Sequence, residues 1–131
     1  MTARVLVVED TPANLKLVNM LLDRAGYQVL LAVNALDGMV LAREHLPNLI
    51  LMDIQLPGMD GLTATRLLKE SVATRHIKIV ALTAFAMKGD EERVIAAGCD
   101  GYIAKPIQYQ SFLAEVERIL ASVPAPTASS S

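Results

Sequence analysis

Acidic, hydroxyl and basic side chains follow apolar runs at several points along the chain. Glu9 and Asp10 follow the first run, Asp53 ends a later one, and Thr83 and Lys105 follow two more. Clustered carboxylates can bind a hard divalent cation, and a nearby hydroxyl and ammonium can stabilise a phosphoryl group in transfer. These residue types therefore predict phosphoryl-transfer chemistry if the fold brings them together.

The run that ends in Asp53 is apolar throughout and lies between Pro47 and Pro57. A short apolar segment between turn formers is typical of a parallel strand that is covered on both faces. A carboxylate at its end either caps a following helix or is held at the rim of a sheet, where open α/β folds bind ligands. Asp53 alone leaves both interpretations open.

The chain alternates apolar runs with amphipathic segments, which predicts a βα repeat. The predicted strands cover residues 5–8, 27–32, 49–53, 77–82 and 102–104, and the predicted helices cover 12–25, 35–45, 62–70, 88–97 and 108–121. Right-handed crossovers then require helices on both sides of a parallel sheet. The pattern predicts an α/β fold with a doubly wound parallel sheet.

Some details of these elements can also be predicted. Thr11 is expected to cap the first helix, and helical spacing in the second helix predicts an inward face of Leu36, Met39, Val40 and Leu46. The last residues, 123–131, lack anything to bury and are expected to be disordered. Residues 1–122 then form a single domain.

Composition excludes several classes of protein. The length of 131 residues suits one domain, and 53% hydrophobic with 20% charged residues is typical of a globular protein. No run approaches a membrane span, and a net charge of −2 gives no basis for nucleic-acid or anionic-membrane binding. Cys99 is the single cysteine, which excludes an internal disulfide. We expect a cytoplasmic protein.

The carboxyl ends of parallel strands share one rim, so Glu9, Asp10 and Asp53 are expected in one pocket with Thr83 and Lys105. Three such carboxylates repel one another unless a cation lies among them, and oxygen ligands with open positions favour Mg²⁺. An aspartate can accept a phosphoryl group as an acyl phosphate. Glu9 and Asp10 are adjacent and can bind the cation together, whereas Asp53 is the one acid at the end of its strand. We therefore predict Asp53 as the nucleophile.

The same residues resemble a known family. From about Arg4 to Ser122, the chain is similar to the receiver domain of bacterial two-component response regulators. Five motifs carry this resemblance: Glu9-Asp10, Leu51-Met52-Asp53-Ile54-Gln55-Leu56-Pro57, Asp60-Gly61, Ala81-Leu82-Thr83-Ala84 and Tyr102-Ile103-Ala104-Lys105-Pro106. The segment from Ala84 to Arg93 further resembles the DivK-like single-domain regulators. The resemblance implies a flavodoxin-like (CheY-like) fold, with five parallel strands in the order 2-1-3-4-5 and five helices.

The resemblance also implies roles for individual residues. Asp53 would take a phosphoryl group from a sensor histidine kinase or a histidine phosphotransfer protein. Asp10 and Asp53 would bind Mg²⁺ through side chains, Gln55 through its backbone carbonyl and Glu9 mostly through water. Lys105 would contact a phosphoryl oxygen and precede a cis proline.

The implied switch involves two further side chains. Thr83 would hydrogen-bond the phosphoryl group, and Tyr102 would rotate toward the space that Thr83 vacates. The surface of the fourth helix, fifth strand and fifth helix would change with it and contact a downstream protein target. Phe85, with Gln55, is expected to make self-dephosphorylation slow because its bulky ring cannot orient water.

Other functions are weighed against this one. A haloacid-dehalogenase-type phosphatase needs a second acid two residues after its nucleophile, where this chain has Gln55. A flavodoxin-type flavin binder would have a Ser/Thr/Gly phosphate cradle where Glu9 and Asp10 stand. The alternative that stays open is a receiver module of a hybrid histidine kinase, which would act in a phosphorelay.

Overall fold

The computed structural model describes residues 3–84 and 88–121. Five strands form its centre: β1 (Arg4–Val8), β2 (Gln28–Ala32), β3 (Leu49–Asp53), β4 (Lys78–Thr83) and β5 (Gly101–Ala104). They make a single parallel sheet in the order β2-β1-β3-β4-β5. The predicted flavodoxin-like topology is confirmed.

Helices cover both faces of the sheet. They are α1 (Pro12–Arg24), α2 (Ala35–His45), α3 (Gly61–Glu70), α4 (Lys88–Ala96) and α5 (Tyr109–Ala121). Alternate strand residues divide the core: one cluster joins the sheet to α1 and α5, and two others join it to α2, α3 and α4. Because side chains alternate along a strand, β1, β3 and β4 each supply buried residues to both layers.

The central strand β3 is buried at all five positions, as its unbroken apolar run predicts. Its neighbours are β1 and β4, and Asp53 pairs with Leu82 of β4. This strand therefore carries Asp53 to the middle of the sheet's carboxyl edge.

The predicted inward face of α2 is wrong for three of its four residues, since Leu36, Val40 and Leu46 are 62%, 48% and 49% exposed. The buried face holds Met39 and small residues instead: Ala35, Gly38 and Ala42. A Cβ on Gly38 would lie only 2.7 Å from a methyl carbon of Val8. The helix approaches the sheet too closely for large side chains, so small residues define its packing face.

Two further expectations have separate outcomes. Thr11 is the N-cap residue of α1, as predicted, but its side chain makes no capping hydrogen bond. The expected disordered tail, 123–131, lies outside the described residues. Within the described ranges, no helix is long and apolar enough to cross a membrane.

Candidate functional site

Three charged side chains from different strand ends meet at the carboxyl edge of the sheet. The Lys105 ammonium nitrogen lies 3.0 Å from Glu9 Oε1 and 3.1 Å from Asp53 Oδ2. Glu9 follows β1, Asp53 ends β3 and Lys105 follows β5. Residues distant in sequence therefore meet because parallel strands end at one rim.

Asp53 is held in a fixed orientation and is only 2% exposed. Its Oδ1 accepts a hydrogen bond from the backbone N–H of Gln55 at 2.9 Å, while Oδ2 contacts Lys105. It does not cap α3, because Asp60 is the N-cap and accepts from the Thr63 N–H at 2.8 Å. Of the two interpretations of Asp53, the rim position is the one observed.

Glu9 is fully buried and is incompletely satisfied. Its Oε2 accepts from the backbone N–H of Thr11 at 3.0 Å. Its Oε1 is close enough to Lys105 for an ion pair, yet no donor among the described residues meets hydrogen-bond geometry with this oxygen. Burial raises the pKa of the Glu9 carboxyl, opposed by the Thr11 N–H and the Lys105 ammonium.

The donor set fits a hard divalent cation. Glu9, Asp10 and Asp53 each offer a carboxylate oxygen, and these oxygens lie within 4.8 Å of one another. Asp10 is open to solvent, and Glu9 Oε1 lacks a hydrogen-bond donor, so the cluster has both an entry side and an unsatisfied ligand atom. Oxygen ligands of this kind suit Mg²⁺. That the backbone carbonyl of Gln55 also binds the cation stays a prediction.

Lys105 connects the two buried acids to β4. Burial alone would lower the pKa of its ammonium, but the carboxylates of Glu9 and Asp53 outweigh burial and raise that pKa. Its backbone N–H donates to the carbonyl oxygen of Thr83 at 2.7 Å, and its peptide bond to Pro106 is cis. Thr83 itself is 2% exposed at the end of β4. All the predicted groups thus lie along one edge.

Tyr102 lies on β5 with its ring partly in solvent, at 38% exposure. Its hydroxyl donates to Glu91 Oε2 on α4 at 3.0 Å.

Gln55 is exposed, and Phe85 lies outside the described residues, so the expectation of slow self-dephosphorylation stays a prediction.

The sequence interpretation assigned no role to two residues near this edge. A Cβ on Gly61 would overlap the Asp53 carbonyl oxygen and lie 2.8 Å from Ile54 Cα, so only glycine lets α3 begin this close to β3. The Asp60-Gly61 pair before a helix is a signal that could have suggested this. Glu91 is one of several charged residues between Lys88 and Arg93, and no sequence signal links it to Tyr102.

Comparison with known proteins identifies the family. Residues 5–117 match the family described as the response regulator receiver domain. The chain belongs to this family. As a receiver domain it is a signalling switch of the two-component type.

Similar proteins agree with this assignment. The polar-differentiation response regulator DivK of Brucella ovis is 48% identical over 120 residues, which are 92% of this chain and 98% of that protein. The receiver domain of a sensor histidine kinase from Pseudomonas aeruginosa is 34% identical with a TM-score of 0.86, covers 93% of this chain and 100% of its own, and has a magnesium ion coordinated in its active-site cleft. Chemotaxis regulator CheY4 of Vibrio cholerae is 24% identical with a TM-score of 0.87, covers 91% of this chain and 99% of its own, and shares the fold.

Proposed function

We propose that this receiver accepts a phosphoryl group on Asp53 from the phosphohistidine of a sensor histidine kinase or a histidine phosphotransfer protein. The observation that carries the proposal is the shared contact of Lys105 with Asp53 and Glu9 at the rim of the sheet. An ammonium beside a fixed carboxylate can attract the incoming phosphoryl oxygens. Contact with a kinase or a phosphotransfer protein would place this reaction in the cytoplasm.

Mg²⁺ is the proposed cofactor, held by Asp10 and Asp53 with Glu9 beside them. The support is the close approach of their oxygens and the unsatisfied Oε1 of Glu9. When bound, a divalent cation of this kind neutralises charge on the transferring phosphoryl group.

The transfer itself is a displacement at phosphorus. An oxygen of Asp53 forms the new P–O bond while the P–N bond to the donor histidine breaks, and its electron pair returns to the imidazole. The Gln55 N–H keeps the carboxylate oriented through Oδ1. Lys105, already beside Oδ2, then contacts a phosphoryl oxygen, and the Thr83 hydroxyl donates to another.

We further propose that the phosphorylated site signals through protein contacts. Thr83 and Tyr102 would change position together, which alters the surface made by α4, β5 and α5 for a downstream protein target. The proposal includes neither nucleic acid nor a membrane as a partner. Its support is the similarity to DivK along nearly the whole length of that protein.

A second candidate function is a relay receiver of a hybrid histidine kinase, supported by the 34% identity to the receiver of a sensor kinase. Such a receiver passes its phosphoryl group on to a phosphotransfer protein. Incubating the phosphorylated chain with isolated histidine phosphotransfer domains discriminates the two: rapid loss of phosphate to such a domain favours the relay, and retention favours the DivK-like switch.

The proposed acceptor is tested by incubation with Mg²⁺ and acetyl phosphate, followed by intact mass measurement. We expect the wild type to gain one phosphoryl group and Asp53→Asn to gain none. Asp23→Asn is the matched control, since Asp23 is an exposed acid on α1. Equal phosphorylation of wild type and Asp53→Asn refutes the assignment.

A further inference from the structure

The Tyr102 side chain is tied to α4 by one hydrogen bond. Its hydroxyl donates to Oε2 of Glu91, one turn before the point where α4 is anchored to the core. That anchor is Val94, which is 1% exposed and packs with Ala81 of β4. The carboxylate is therefore presented to Tyr102 from the helix turn that precedes a buried anchor.

A second carboxylate lies near the same ring but has its own partner. Glu115 of α5 is bound by the guanidinium of Arg118, with Nε donating to Oε1 at 3.0 Å. Glu91 is half-buried, and its Oε2 accepts the hydrogen bond from the Tyr102 hydroxyl. Of the two carboxylates near the ring, Glu91 is therefore the one that the hydroxyl contacts.

The position of Tyr102 also shapes the surface beside the site lysine. A cavity of about 390 Å³ between β5 and α5 is lined by residues from Tyr102 to Pro106, and by Gln108, Ser111 and Glu115. Tyr102 and Lys105 both belong to this lining. Any rotation of the ring away from Glu91 changes the wall of a cavity on the proposed output surface.

We propose that Glu91 holds Tyr102 in its solvent-facing orientation and thereby sets how much of the unphosphorylated receiver adopts the switched state. This inference rests on the proposed phosphorylation switch. If the switched state accepts phosphate more readily, a contact present only in the unswitched state lowers the apparent rate of phosphorylation. Glu91 acts through Tyr102, so it is a positioning residue.

The test compares Glu91→Ala with Glu92→Gln, a matched control that removes a charge from the adjacent exposed position. The first measurement is NMR of the tyrosine rings without phosphate; the chain has three tyrosines, and Tyr102→Phe identifies the signals of Tyr102. We expect Glu91→Ala to move these signals toward their position in the phosphorylated wild type. Glu92→Gln should leave them unchanged.

The second measurement is the initial rate of phosphorylation by acetyl phosphate with Mg²⁺. Losing a partly exposed hydrogen bond to a charged acceptor should raise this rate roughly three- to tenfold in Glu91→Ala. In a Tyr102→Phe background the same substitution should have no further effect, because the hydroxyl is already absent.

The proposal is overturned if Tyr102 signals in Glu91→Ala match the wild type, or if the rate increase persists in the Tyr102→Phe background. A rate increase in Glu92→Gln equal to that in Glu91→Ala also overturns it, since general charge then explains the effect. Failure of every variant and the wild type to gain phosphate refutes the proposed function instead. The NMR comparison of unphosphorylated Glu91→Ala with unphosphorylated wild type then still shows whether Glu91 holds the Tyr102 ring in place.

Discussion

Replacing Lys105 with Met should destabilise the metal-free protein strongly. The substitution keeps much of the apolar stem but removes the ammonium that Glu9 and Asp53 share at 3.0 and 3.1 Å. Both acids are almost completely buried, at 0% and 2% exposure. Their charges would then lie close together in a poorly hydrated position with no countercharge.

The size of the effect follows from that burial. Removing one partner of a buried ion pair costs about 3–5 kcal/mol because the remaining charge is left uncompensated. Here each acid keeps one backbone hydrogen bond, from Thr11 to Glu9 and from Gln55 to Asp53, which favours the lower end of the range. We expect the free energy of unfolding in EDTA to fall by about 3 kcal/mol, measured by urea denaturation.

Lys78→Met is the matched control. Lys78 Nζ lies 3.9 Å from Asp100 Oδ1, and Asp100 keeps a second ion pair with Lys69 at 3.1 Å. Since this pair is also partly exposed, its loss should lower the free energy of unfolding by less than about 1 kcal/mol.

Saturating Mg²⁺ should reduce the difference in the free energy of unfolding between Lys105→Met and the wild type, because a divalent cation replaces the missing positive charge. Ligand at about a hundredfold excess over its dissociation constant stabilises a folded protein by about 2.7 kcal/mol, and the variant should gain more than the wild type. The reasoning is refuted if Lys105→Met in EDTA loses no more stability than Lys78→Met, or if Mg²⁺ stabilises both proteins equally.

Two further predictions concern residues beside the site, and a third concerns Cys99, which precedes β5. Gly61→Ala should slow Mg²⁺-dependent phosphorylation at least about tenfold, because its Cβ would displace the backbone of Asp53. The same displacement should lower the free energy of unfolding by about 1–3 kcal/mol. Initial rates measure the first effect and urea denaturation the second. Asp60→Ala should lower the free energy of unfolding by about 1 kcal/mol through loss of the α3 cap, and Asp60→Asn by less. The Thr63 N–H lowers the pKa of Asp60 below 3.8, so this contribution is present above pH 3.8 and is lost as the pH falls through the folded pKa. Burial raises the pKa of the Cys99 thiol from 9.0 to about 11, so its reaction with a disulfide reagent at neutral pH should be about 100-fold slower in the folded than in the urea-unfolded protein.

Each of these has a result that would contradict it. For Gly61, Gly89→Ala is the control, since a Cβ there meets nothing within 4 Å, and equal phosphorylation rates in the two variants would exclude the steric argument. For Asp60, a stability difference between wild type and Asp60→Ala that persists unchanged well below pH 3.8 would exclude the cap as its source. Equal thiol reactivity of folded and unfolded protein would show that Cys99 is not shielded.

The sheet and the rim cluster could be predicted because both follow from the chain alone. The apolar run before Asp53 shows that its strand is covered on both faces, and parallel strands must end at one edge. Glu9, Asp53 and Lys105 are therefore expected to meet whatever conformation the loops adopt, and the structure places them in contact.

The packing face of α2 could not be predicted in the same way. Hydrophobic periodicity selects large side chains such as Leu36 and Val40, but the distance between helix and sheet decides which residues fit. Gly38 lies so close to Val8 that the helix must turn its small residues inward, and the large ones remain exposed. The hydrophobic periodicity of the sequence gives no information about the distance between α2 and the sheet.

The bond between Tyr102 and Glu91 could not be predicted either. It depends on the side-chain conformations of two elements and on the angle at which α4 packs against β5. The same is true of Thr11, whose hydroxyl was expected to cap α1 but whose backbone N–H instead binds Glu9. Residue types indicate that such bonds can form, and tertiary packing determines which ones do.

The most direct test of the central claim is to locate the phosphorylated residue. Borohydride reduces an acyl phosphate of aspartate to homoserine, so the chain is phosphorylated with acetyl phosphate and Mg²⁺, reduced, digested and sequenced by tandem mass spectrometry. Homoserine at position 53, dependent on Mg²⁺, is the predicted result. Modification at Glu9 or Asp10 in place of Asp53, or no modification at any of the three, would contradict the account.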